Sequence, residues 1–159
     1  MKRRALVTGA GGQLGSYLCE LLLTKDYDIY ALVRRSSCGN LGRIAGILDA
    51  ITLIPGDLTD QVSLNHALVR SKPHEVYNLA AQSQVGTSFI EPLHTSDVTG
   101  LGALRLFEAC RLYTTVTEQP RIYQASTSEM FGNNAPPQSE ATPFAPQSPY
   151  GCAKTFAHF

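Results

Sequence analysis

A doubly wound parallel sheet of the α/β class is the fold this sequence predicts, on three observations. Short apolar runs at residues 4–8, 29–33, 51–54, 76–81 and 122–125 alternate with segments of helical spacing, as parallel strands covered on both faces do. Residues 7–18, VTGAGGQLGSYL, set glycines between the first strand and the first helix. The chain of 159 residues is 43% hydrophobic, which suits one domain with a buried core.

In the first unit of this pattern, Leu14, Tyr17, Leu18, Leu21 and Leu22 recur at helical spacing. Gly9 permits a tight turn, Gly12 lets backbone approach a ligand, and Gly15 lets the helix pack closely on the strand. The free N–H groups and positive dipole end of the helix then point at an anion, and a dinucleotide pyrophosphate suits the place. The alternative is a purely structural glycine turn. Right-handed crossovers put the first strand at the centre, with the order reversing beside it and a crevice at the carboxyl ends of the strands. This is a Rossmann-like arrangement.

Arg34 and Arg35 follow the second strand, with Arg34 nineteen residues after Gly15, where an acidic residue would select NAD. Two guanidiniums there suit a 2′-phosphate, so NADP is the expected cofactor; the alternative is a solvated basic turn. After the third strand, Asp57 can accept from an adenine amino group, and Asp60 can cap the next helix. After the fourth strand the small residues of Asn78-Leu79-Ala80-Ala81-Gln82-Ser83 leave room for a cofactor. The expected cofactor-facing set is Gly9, Gly12, Gln13, Gly15, Arg34, Arg35, Asp57, Leu58, Ala80, Ala81 and Ser83, with Tyr150 and Lys154. Residues 97–112 are apolar nearly all round, which predicts a second buried face and a partner helix, supplied either by a second subunit or by a missing part of this chain.

Chemistry is concentrated in two stretches. Ser126-Thr127-Ser128-Glu129 follows the fifth strand, and Tyr150 and Lys154 share one face of a helix after the turn-rich residues 133–149. An ammonium beside a phenol favours phenolate, a base suited to oxidising an alcohol. Thr127, Glu129, Tyr150 and Lys154 are the catalytic candidates. For Glu129 the alternative is a capping or surface carboxylate.

Composition narrows the partners. Thirteen basic and thirteen acidic residues leave no field for nucleic acid, and no apolar run approaches membrane-spanning length. No signal peptide is legible, so a soluble cytoplasmic protein is expected. Cys19, Cys38, Cys110 and Cys152 lie far apart, and the four histidines lack ligand spacing, so no metal is expected. Cys19 and Cys110 read as helix-packing residues.

TGAGGQLG, NLAAQS, ASTSE and YGCAK, in this order, resemble the extended short-chain dehydrogenase/reductase family. LVRRSS, GDLTD, EVYNLAAQSQVG, YQASTSEMFG and TPFAPQSPYGCAK resemble the GDP-mannose dehydratases within it. Leu14 departs from the aspartate usual there. The resemblance implies conversion of GDP-mannose to GDP-4-keto-6-deoxymannose, on the way to GDP-fucose. Tyr150, Lys154 and Thr127 would act at the sugar 4-hydroxyl, with Glu129 as acid and base for loss of water. It also implies a homo-oligomer, with residues 35–43 near a neighbouring cofactor site and the 97–112 helix in an interface. Phe159 lies five residues past Lys154, so residues 1–159 read as an incomplete NADP-binding domain. On this reading the chain is truncated before the last strands and the substrate lobe, and it is expected to be inactive alone. An epimerase or reductase of the same fold would use Tyr150 and Lys154 without Glu129, and a non-enzymatic NADP-binding module is a further alternative.

Overall fold

The structure, a computed structural model, describes residues 2–34, 41–114 and 119–159. The chain divides into two compact units, one of Met1–Ala80 and Arg105–Ala125, the other of Ala81–Leu104 and Ser126–Phe159.

The first unit is built on a parallel sheet of β1 (Arg3–Thr8), β2 (Tyr27–Val33), β3 (Thr52–Pro55), β4 (Glu75–Asn78) and β5 (Arg121–Gln124). Its strand order is β3-β2-β1-β4-β5, with β1 central and the order reversing beside it, as expected. Alternation divides β1 between two faces. Ala5 and Val7 join Ile29, Ala31, Cys19, Leu22 and Ile44 in one core cluster, under α1 (Gln13–Thr24) and the 3-10 segment Gly42–Ala50. Leu6 points to the other face, where α2 (Gln61–Ser71) lies against β1 and β3. Asp60 caps α2 by accepting from the Val62 and Ser63 amides, as its position suggested.

The face of α1 differs from expectation. Leu14, Tyr17 and Leu21 are exposed, and the buried face is Gly15, Ser16, Cys19 and Leu22. The cause is Gly15, where a Cβ would stand 2.2 Å from the Gly9 carbonyl oxygen. That contact turns positions 15, 19 and 22 toward the sheet and the leucines outward. β4 also ends earlier than its apolar run, at Asn78. The Leu79 and Ala80 amides both donate to the Thr8 hydroxyl, each at 3.1 Å, which takes them out of the ladder.

At the amino ends of the strands sits Glu75, whose side chain is 8% exposed. It accepts from Tyr77 Oη at 2.7 Å, Tyr27 Oη at 3.3 Å and Arg3 Nη1 at 3.4 Å, and from Arg121 Nη2. Burial pushes this carboxyl up, but the bonds from Tyr77, Arg121 and Tyr27 outweigh it and hold the group below its ordinary value.

The second unit is helical: α3 (Val85–Ile90), α4 (Pro92–Thr95), a π-helical segment Ser96–Leu101, the start of α5 (Gly102–Thr114), a 3-10 turn Ser128–Met130 and α6 (Pro149–His158). The helix expected at residues 97–112 therefore begins earlier and carries a π turn. Of the apolar residues that suggested a second buried face, Leu101 and Leu104 are exposed, whereas Leu106 and Cys110 are buried.

Candidate active site

The expected site residues are divided between the two units. The first unit holds Gly9, Gly12, Gln13, Gly15, Arg34, Asp57, Leu58 and Ala80; Arg35 lies outside the described residues. The second holds Ala81, Ser83, Thr127, Glu129, Tyr150 and Lys154.

The glycine turn is a backbone cradle. Gly9 has φ +70, and a Cβ there would meet the Ala80 nitrogen at 2.8 Å, so only glycine fits between β1 and the loop after β4. Gly12 donates to the Gly9 carbonyl at 2.9 Å and begins α1 without a side-chain cap. The first turn of α1 holds no acidic residue, so its amides and dipole present positive potential with no carboxylate against it. This cradle fits a dinucleotide phosphate. Gln13 is exposed beside it, and Arg34 is exposed immediately after β2. Leu58 is buried, while Asp57 uses Oδ1 to accept from the Thr59 amide and hydroxyl, both at 2.8 Å.

Beneath the cradle runs a polar chain that sequence reasoning missed. Thr8 Oγ1 donates to Asn78 Oδ1 at 2.6 Å, and Asn78 Nδ2 donates to Gln124 Oε1 at 2.7 Å. Thr8 pairs with Asn78 in the ladder, and Asn78 with Gln124. A polar residue closing each of three neighbouring strands was the available signal.

In the second unit, Ser148 caps α6, accepting from the Gly151 amide at 3.0 Å, and Pro149 follows in the first turn. The buried face of α6 is Tyr150, Gly151, Ala153, Lys154 and Ala157. Tyr150 and Lys154 thus share a face as their spacing required, with Lys154 Nζ 5.9 Å from the centroid of the Tyr150 ring. Burial pulls the Lys154 ammonium below its ordinary value.

Thr127 precedes the 3-10 turn and accepts from the Glu129 amide at 3.2 Å. Its hydroxyl proton stays available to donate. Gly151 brings this turn to α6, since a Cβ there would lie 2.8 Å from the Glu129 carbonyl oxygen. Thr127, Glu129, Tyr150 and Lys154 are in this way carried by two packed segments of one unit. Both Thr127 and Glu129 are half-buried.

Cys19 and Cys110 are buried, as their packing role required, and burial raises their thiols to about 11 and about 12. Neither supplies a nucleophile at neutral pH. Among the described residues no group of His, Cys, Asp or Glu is placed to hold a metal ion, and no helix is long and apolar enough to cross a membrane.

A family model described as GDP-mannose 4,6 dehydratase matches residues 6–159. The chain belongs to that family. It is 49% identical to GDP-mannose 4,6 dehydratase 2 of Arabidopsis thaliana, over 99% of this chain and 45% of that one. It is 47% identical to GDP-mannose 4,6 dehydratase of Homo sapiens, over 98% of this chain and 44% of that one. The chain therefore spans less than half the length of these family members. Among solved structures, the UDP-glucose 4-epimerase of Thermus thermophilus, in complex with NAD, superposes with a TM-score of 0.84 at 30% identity, covering 98% of this chain and 49% of that one. The dTDP-glucose 4,6-dehydratase of Bacillus anthracis str. Ames, also with NAD, gives 0.82 at 26% identity, covering 98% and 48%.

Proposed function

We propose that the full-length protein is an NADP-dependent dehydratase that converts GDP-mannose to GDP-4-keto-6-deoxymannose. The observation that carries this reading is the carboxylate-bearing turn of Glu129 packed on the helix of Tyr150 and Lys154. A tyrosine–lysine pair serves an epimerase or reductase equally well; an adjoining acid and base is what loss of water adds. Family membership supports the same choice.

A nicotinamide dinucleotide held on the glycine cradle would supply reversible hydride chemistry. Tyr150 takes the proton of the sugar 4-hydroxyl, with Lys154 favouring the phenolate and Thr127 donating to the same oxygen. The ketone formed at carbon 4 acidifies the proton at carbon 5. Glu129 removes that proton and delivers one to the departing 6-hydroxyl, so water leaves across carbons 5 and 6. The carbon-4 oxygen stays a ketone. The hydride given up by carbon 4 to the dinucleotide would return to carbon 6 while carbon 5 takes back a proton, which saturates the 5,6 double bond. The net change is therefore loss of one water with no net oxidation.

Arg34 and Arg35, where an aspartate would repel a 2′-phosphate, support NADP over NAD. The exposed Leu101 and Leu104 support a homo-oligomer; a full-length protein sedimenting as a monomer at micromolar concentration contradicts that. The reaction itself is tested by mass spectrometry of GDP-mannose incubated with the full-length protein and NADP. The product should be lighter by one water, with no net reduction of cofactor. An isomer of unchanged mass would identify an epimerase instead.

A further inference from the structure

The loop that follows β4 is gripped by the π-helical segment in a way that none of the preceding chemistry uses. Thr99, 2% exposed, accepts from the Gln82 amide at 3.1 Å and donates to the Gln82 carbonyl at 3.2 Å through one hydroxyl. It serves both backbone groups of Gln82, as a neighbouring strand would. Thr95, fully buried one turn earlier, accepts from Gln82 Nε2 at 3.0 Å. Gln82 Oε1 in turn accepts from the Gln84 amide at 2.7 Å, and Gln84 Oε1 accepts from the Thr87 hydroxyl at 2.7 Å. Ala81 and Ser83, expected to face the cofactor, flank the residue that is held.

The residue after Thr99 meets a different neighbour. A Cβ on Gly100 would lie 3.3 Å from Phe156 Cδ1 and 3.5 Å from the Ala153 carbonyl oxygen, both on α6. α6 carries Tyr150 and Lys154. Consecutive residues of one turn therefore touch the cofactor loop and the tyrosine–lysine helix. The π geometry, in which the Gly102 amide reaches back to the Asp97 carbonyl, inserts an extra residue into that turn, a feature frequent at functional sites.

We propose that Thr99 is a positioning residue, setting the Ala81–Ser83 backbone in register with α6 before cofactor arrives. The proposal rests on the dinucleotide-dependent reading above. Pre-setting a loop removes its ordering cost from the binding step, so the effect belongs in affinity. Its test uses the full-length protein with NADP as the probe. Thr99→Val keeps the side-chain shape without the hydroxyl, and Thr99→Ser keeps the hydroxyl. Thr99→Val should weaken NADP binding about tenfold, while Thr99→Ser stays within about threefold of the parent. Hydrogen exchange on the parent, needing no variant, should show the Gln82 amide protected before NADP is added. A Thr99→Val protein that melts earlier but binds NADP like the parent overturns the positioning role, as does a freely exchanging Gln82 amide. A parent protein that binds neither NADP nor NAD overturns the dinucleotide reading, and the positioning role with it.

Discussion

Replacing Gly15 with alanine should damage dinucleotide binding far more than the addition of one methyl group suggests. The added Cβ would stand 2.2 Å from the Gly9 carbonyl oxygen, 2.8 Å from the Ala10 Cα and 2.9 Å from the Gly9 carbonyl carbon, all of them backbone. Ordinary contact begins at 3.4 Å, so the turn must open by about 1.2 Å. An opening of that size breaks the 2.9 Å bond from the Gly12 amide to the Gly9 carbonyl and moves the first-turn amides of α1 off a bound phosphate. Two charge-assisted bonds lost at about 1.5 kcal/mol each come to about 3 kcal/mol, roughly two orders of magnitude in affinity. Calorimetric titration of the full-length protein with NADP reads this directly. Gly46→Ala is the control, because a Cβ there meets nothing within 4 Å. A Gly15→Ala protein that binds NADP within about threefold of the parent refutes the cradle.

Two further outcomes are expected. Arg34→Ala should weaken NADP binding by about tenfold or more and leave NAD binding nearly unchanged, and equal losses for the two cofactors would remove the phosphate-selecting role. Glu75→Gln should lower stability by about 1–3 kcal/mol in denaturant titrations near neutral pH, with the lower end favoured because both arginine partners are exposed. Since folding depresses the Glu75 pKa, its contribution is present above the ordinary carboxylate range and is lost as pH falls through the folded value. The gap between parent and variant should therefore close in acid; a gap that is constant with pH would mean that the charge does not carry it.

The parts of this structure legible in the sequence are those where one residue type has one conformational use. The glycines of the first turn, the Asp60 cap and the shared face of Tyr150 and Lys154 are local consequences of backbone freedom, capping and helical period. Strand order followed from crossover handedness. The outward turn of Leu14, Tyr17 and Leu21 was not legible, because a contact of Gly15 with Gly9 overrides hydrophobic spacing in setting the rotation of α1. Nor was the early end of β4, which depends on where the Thr8 hydroxyl lies in the neighbouring strand. The packing of the Glu129 turn on Gly151 joins residues twenty-two apart through an irregular loop, and no periodicity reports on that. The hydroxyls of Thr95 and Thr99 lie on short helical segments among other polar residues, His94, Ser96 and Asp97, where nothing in the pattern singles them out.

The proposed dehydration rests on Glu129 as the acid and base of elimination, and the decisive experiment is Glu129→Gln in the full-length protein, assayed in heavy water with GDP-mannose and NADP. Amide and carboxylate are nearly the same shape, so substrate binding should survive, and the parent should yield a product that has lost water and gained solvent deuterium at carbon 5. The variant should form that product about a hundredfold to ten-thousandfold more slowly, the usual contribution of a positioned acid or base. A Glu129→Gln protein that releases the dehydrated, deuterated product at the parent's rate would contradict that role and leave Glu129 as a structural carboxylate.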